Sequence, residues 1–149
     1  MDEPLDLALK ALGRKERTVA ELGSWLRGRG VSDEQVEVVV GHLVEDGALD
    51  DARFAHRYAE DKRELAGWGS DRIRSALLQR GVSAADVEGA VGAEEPEGEL
   101  GRATALLLQR GISVRSERDR SRAFQFLVRR GYDFELAYDA IRQAGADDD

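Results

Sequence analysis

Apolar residues recur along this chain at helical spacing, and the recurrence repeats at a longer period. Leu22, Trp25 and Leu26 stand at i, i+3 and i+4, as do Ile73, Ala76 and Leu77, and again Ala123, Phe126 and Leu127. That spacing puts each trio on one face of a helix. Each trio runs into a related string: Leu26-Arg27-Gly28-Arg29-Gly30-Val31, then Leu77-Leu78-Gln79-Arg80-Gly81-Val82, then Leu127-Val128-Arg129-Arg130-Gly131-Tyr132. The Arg-Gly pairs ending these strings are 51 and 50 residues apart. Beyond each glycine a second trio follows at the same spacing: Val36/Val39/Val40, Val87/Ala90/Val91 and Ala137/Ala140/Ile141. The pattern predicts a unit of helix, helix, glycine turn, helix, present three times in tandem.

The punctuation agrees with that unit. Thr18 with Glu21 forms a capping box ahead of the first central helix, and Ser32 with Gln35 forms another after it. Ser83 and Asp133 occupy the N-cap position at the later equivalents of Ser32. Gly30, Gly81 and Gly131 stand where a left-handed C-cap is wanted. The leading helices are expected near 5–12, 51–65 and 99–109. The predicted organisation is repeat one over residues 1–49, repeat two over 50–91, an acidic linker over 92–98, repeat three over 99–146 and a disordered acidic tail over 147–149. A fifty-residue unit buries little by itself, so neighbours are expected to stack into an elongated, curved, all-α array.

Charge refines this picture. The net charge of −8 looks unsuited to nucleic acid, yet its distribution is uneven. Residues 92–100 carry four glutamates and no base, whereas residues 101–130 carry eight arginines against Glu117 and Asp119. The helix after each glycine turn is acidic, with no Lys or Arg in 32–46 or 83–91. The second and third helices of repeat one have the spacing of a helix-turn-helix. A recognition helix that acidic would be repelled by a duplex and lacks the side chains that read base edges. Absence of cysteine removes disulfides and the usual structural zinc sites. The acidic start, Met1-Asp2-Glu3-Pro4, does not read as a secretory signal, and no apolar run is long enough to span a membrane. A cytoplasmic monomer is expected.

No string associated with catalysis occurs: there is no P-loop, no HExxH and no nucleophile elbow. Gly67-Trp68-Gly69 reads as an interhelical loop, because no strand precedes it and position 72 is Arg. His42 and His56 lie on different helices and read as surface or boundary residues rather than metal ligands. Asp50 reads as an N-cap and Asp51 as a complement to the helix dipole, with no metal required. Phe54, Ala55, Tyr58 and Leu65 share a helical face and read as core. Trp68, in a loop, either plugs a repeat junction or meets a partner. These readings predict a binding protein with no catalytic residues, metal or cofactor.

The string Gly47-Ala48-Leu49-Asp50-Asp51-Ala52-Arg53-Phe54-Ala55-His56-Arg57-Tyr58, continuing through Lys62-Arg63, resembles the signature of the RecX family. Gly67-Trp68-Gly69-Ser70-Asp71-Arg72-Ile73 and Leu77 with Arg80-Gly81 extend the likeness, Arg17-Thr18-Val19-Ala20-Glu21-Leu22 resembles that family's first repeat, and Arg129-Arg130-Gly131-Tyr132 its last. The resemblance implies a bacterial regulator that binds the RecA recombinase filament on single-stranded DNA. It further implies suppression of that filament's ATPase and strand exchange, which restrains recombination and the SOS response. The alternatives are a helical nucleic-acid-binding module acting without recombinase, and a helical scaffold for another protein. For the partner-facing surface, charge singles out Arg53, Arg57, Lys62, Arg63, Arg72 and Arg74 in repeat two, with Arg115, Arg118, Arg122 and Arg129 in repeat three. The last four fall within an arc of roughly 60° if one helix carries them all.

Overall fold

The computed structural model describes residues 2–147, and every regular element among them is helical. The order is α1 (Asp2–Arg14), α2 (Val19–Gly28), α3 (Asp33–Glu45), α4 (Asp51–Asp61), α5 (Ser70–Gln79), α6 (Ala84–Val91), α7 (Pro96–Gln109), α8 (Glu117–Arg129) and α9 (Phe134–Asp147). A π-helical turn, Lys62–Ala66, continues α4 and ends at left-handed Gly67. The chain folds as three tandem three-helix repeats: α1–α3, α4–α6 and α7–α9 each pack mainly among themselves. Each triplet closes over its own cluster of buried side chains. The accessible surface is 8982 Å² for 16.4 kDa, against about 7,500 Å² for a compact monomer of that mass. The excess is what a row of small units gives, because each unit buries only its own centre and its junctions.

The central helices follow one register. Leu22 with Leu26, Ile73 with Leu77, and Ala123 with Leu127 are all 0% exposed, whereas Trp25, Ala76 and Phe126, between them in each trio, are half-buried at the rim. Leu26, Leu77 and Leu127 are therefore equivalent, and changing each to Ala is expected to cost roughly 2–5 kcal/mol by loss of transfer energy and creation of a cavity. Urea titration of the three variants measures this; three parental midpoints would refute the repeat register.

Each central helix also ends in the same way. Val31, Val82 and Tyr132 donate their N–H to the carbonyls of Leu26, Leu77 and Leu127, and Gly30, Gly81 and Gly131 have φ of +85°, +85° and +98°. That is the Schellman closure of a helix.

The Arg-Gly turn does more than end a helix, since in repeats two and three it is where the preceding repeat docks. At the first junction the Thr18 hydroxyl donates to the Arg80 carbonyl at 2.7 Å, and the Arg80 guanidinium grips Glu21 through two bonds of 2.9 Å. At the second, the Gly69 N–H donates to the Arg130 carbonyl at 2.7 Å and the Asp71 N–H to the Gly131 carbonyl at 2.9 Å. A carboxylate from the next repeat completes each junction: Asp51 accepts from the Val19 N–H at 2.9 Å, and Glu99 from the Ser70 N–H at 2.7 Å. Val19 and Ser70 are the first residues of α2 and α5, so these carboxylates satisfy N–H groups that a helix cannot pair internally and complement its dipole. In α8 the residue equivalent to Thr18 and Gly69 is Asp119, which already lies inside the helix, Ser116 being the N-cap.

Three expectations change. Helix α7 begins at Pro96, inside the segment read as a linker, and Glu94 in that segment is tied down by ion pairs. The helix expected near 51–65 is α-helical only to Asp61 and continues as the π-turn to Ala66, which leaves Leu65 84% exposed and outside the core stripe. Of the segment 147–149 read as a tail, Asp147 ends α9 and the rest lies outside the described residues.

Candidate partner-binding site

The structure sorts the ten basic residues singled out from sequence by what already holds them. Arg63 is not available to a partner. Its side chain is 12% exposed and donates to the carbonyls of Ala90 and Val91 at the end of α6, at 2.9 and 3.2 Å. Those carbonyls end the last turn of the helix, where intrahelical donors run out, so Arg63 acts as a C-terminal cap. Arg74 is held by Glu88 at 2.8 Å and Asp71 at 2.9 Å, bracing α5 against α6; the same pairing draws the Glu88 carboxyl below its usual range. Arg57 pairs with Glu16 across the first junction, and Arg53 reaches the Gly47 carbonyl at 3.1 Å. Arg115 precedes α8 in a loop, so the arginine stripe on that helix reduces to Arg118, Arg122 and Arg129.

Two of these three meet residues of repeat two. At the second junction an open cleft of about 620 Å³ lies between the turn after α4 and the exposed face of α8. One wall is Leu65, Trp68 and Arg72; the other is Arg122, Phe126 and Arg129, with Arg110 also lining it. No acidic side chain lines it. Arg110, Arg122 and Arg129 are exposed, and among the described residues none of the three has a side-chain hydrogen bond or ion pair. Arg72 leans over Trp68, 4.2 Å from the ring centroid, and donates to the Arg129 carbonyl at 3.3 Å. Trp68 packs edge-on to Tyr58 against the core of repeat two and also lines the cleft.

Beneath the cleft lies a polar hub that the sequence reading missed. Arg102 bonds Glu94 at 2.6 and 3.0 Å, the Trp68 carbonyl at 2.9 Å and the Tyr132 hydroxyl at 3.2 Å. The Tyr132 hydroxyl in turn donates to the Gly67 carbonyl at 2.9 Å, and burial pushes its pKa above the usual tyrosine value. Arg130 donates to the Ala66 carbonyl at 2.8 Å. These bonds fix the turn at Ala66–Trp68 to repeat three, so the cleft is rigidly built. One signal in the sequence pointed here: Tyr132 occupies the position that is Val31 and Val82 in the other repeats, and a phenol that replaces a core valine needs a polar partner.

At the first junction, burial works to raise the Glu21 carboxyl, but the Arg80 guanidinium and the Thr18 N–H outweigh it and hold it below its usual range. Burial raises the Asp51 carboxyl despite its bond from Val19. Both acids bind the repeats together. His42 and His56 are exposed on separate helices, and among the described residues no group of acids or histidines could hold a metal ion. No helix among them is long and apolar enough to cross a membrane.

The geometry therefore defines a helical-repeat protein whose distinctive surface is an arginine-walled cleft between two repeats. A family model for the second three-helix domain of RecX matches residues 50–91, and a Regulatory protein RecX of Deinococcus radiodurans is 38% identical over 140 residues, covering 93% of this chain and 67% of that protein. The chain belongs to the RecX family. A Regulatory protein RecX of Pseudomonas putida is 35% identical over 142 residues, covering 91% of this chain and 89% of that protein. The crystal structure of RecX from Lactobacillus salivarius shares the fold, with a TM-score of 0.88 over 97% of this chain and 96% of that one at 18% identity.

Proposed function

We propose that this chain binds the RecA recombinase filament assembled on single-stranded DNA, and that it lowers the filament's ATPase, strand exchange and SOS-inducing activity without catalysing a reaction itself. The observation that carries this reading is similarity to RecX regulators along nearly the whole chain, not in one repeat alone. The proposed contact is the basic face of α8 and the cleft beside it, because Arg110, Arg118, Arg122 and Arg129 make no side-chain hydrogen bond or ion pair among the described residues, whereas Arg63 and Arg74 do. Arginine matches carboxylate or phosphate through its two-pronged fork, and a filament offers both. The protein acts in the cytoplasm as a monomer.

Recombinase ATPase on single-stranded DNA, titrated with this protein, tests the reading. The rate is expected to fall, and a rate unchanged at saturation would refute it. Reversing Arg118 and Arg122 to Glu leaves melting near parental, since both are exposed and Arg118 has no side-chain partner among the described residues. The double variant is expected to inhibit far less at low salt, and the difference to shrink as salt screens the contact. Full inhibition by the double variant would move the contact to another face.

A further inference from the structure

We infer that the cleft between the turn after α4 and helix α8 is a receptor for a short acidic peptide segment bearing one apolar side chain, presented by a protein partner. The inference deepens the filament reading and rests on it only for the partner's identity. The juxtaposition that carries it is a set of uncommitted guanidiniums around an apolar rim. Arg110, Arg122 and Arg129 converge on about 620 Å³ with no carboxylate among the lining residues. Elsewhere in the chain Glu21, Glu88 and Glu94 each take up an arginine, whereas the cleft brings together three exposed guanidiniums that make no side-chain hydrogen bond or ion pair among the described residues. Leu65 stands at the rim 84% exposed, on a turn whose neighbours Ala66 and Gly67 are clamped by Arg130 and Tyr132. A large aliphatic side chain exposed on a backbone-clamped turn, lining the same cleft as Phe126 and Trp68, gains from an apolar partner and offers nothing to a phosphate chain.

The ring faces favour peptide over nucleic acid. Single-strand binders stack bases on free aromatic faces. Here Lys62 and Arg72 lie 4.7 and 4.2 Å from the Trp68 ring centroid, and Arg130 lies 4.7 Å from that of Phe126. Cations cover the platforms on which a base would sit.

Fluorescence anisotropy of the whole protein tests this without recombinase. The probes are a dye-labelled ten-residue Asp/Glu peptide with one central Leu, the same peptide with Ser for Leu, and a labelled oligothymidine. The Leu peptide is expected to bind most tightly. R122E/R129E is expected to weaken it at least tenfold, and R110E severalfold, with circular dichroism melts of both variants near parental. Leu65→Ser is expected to weaken the Leu peptide roughly fivefold, as for loss of part of one buried aliphatic side chain, and to leave the Ser peptide unchanged. Tighter binding of oligothymidine through the same arginines would overturn the inference in favour of nucleic acid. Equal binding of the two peptides, or no effect of L65S, would overturn the apolar subsite. If the peptide fails to bind while recombinase ATPase is still inhibited, the cleft assignment falls and the filament reading stands.

Discussion

Gly131→Ala is expected to cost roughly 2–5 kcal/mol and to loosen the third repeat from the second. Two effects combine. The φ of +98° is unfavourable for any residue with a Cβ, which accounts for about 1–2 kcal/mol. The added methyl would also stand 2.3 Å from the Arg72 Cβ and 2.5 Å from its backbone nitrogen, so α5 itself must move. Overpacking of that kind costs about 1–3 kcal/mol. The second repeat would move away from the Arg130 and Gly131 carbonyls that receive Gly69 and Asp71. Gly30→Ala provides the control. Its φ is +85°, but nothing lies within 4 Å of the added Cβ, because no repeat docks on that turn. It is expected to cost only the backbone part, about 1–2 kcal/mol. Urea titrations of the two variants measure the difference. Equal losses would show that the second junction does not depend on close approach at Gly131.

The other large effect is expected at Arg102. Arg102→Met is expected to destabilise the protein by about 3 kcal/mol, because it removes one partner of a largely buried ion pair. The Glu94 side chain is only 13% exposed. Its remaining cation, Arg63, has Nε 3.5 Å from the Glu94 carboxylate and is already committed to the α6 carbonyls. The Trp68 carbonyl and the Tyr132 hydroxyl lose donors as well. Adding Glu94→Gln to Arg102→Met is expected to recover part of the loss, since an amide left unpaired costs less than a carboxylate. Denaturant titration of the two single variants and the double gives the coupling directly. If E94Q adds its own full cost to that of R102M, the two residues do not act as a pair.

The wrong readings have physical causes. Glu94-Glu95-Pro96-Glu97 reads as a linker by composition, yet Pro at the first helical position and acids in the first turn also open a helix, as they do here for α7. Composition cannot separate the two, because the deciding factor is whether an apolar face further on has somewhere to pack. Asp51 does stand in the first turn of its own helix, but its carboxylate also accepts from the first N–H of α2 in the neighbouring repeat, which local pattern cannot show. Arg63 and Arg74 looked equivalent to Arg122 and Arg129 because a charge has the same letter whether free or paired. Their partners Ala90, Val91 and Glu88 are 14 to 28 residues away and arrive only when α6 folds back.

Features that depend on neighbours along the chain are legible in the sequence. The 3.6-residue period set the helices, the Arg-Gly interval set the repeat, and the glycines at C-cap positions set where the central helices end. These signals are local, and each burial pattern has one compact solution per unit. Tertiary structure alone decided what depends on residues far apart: which carboxylate caps which helix, which arginines are consumed, and how Leu65, Trp68 and Arg72 come to face Arg122 and Arg129. Ion pairs and clefts form between elements whose spacing is fixed by packing at the junctions. A guanidinium's role follows from the groups that packing brings within about 3 Å of it.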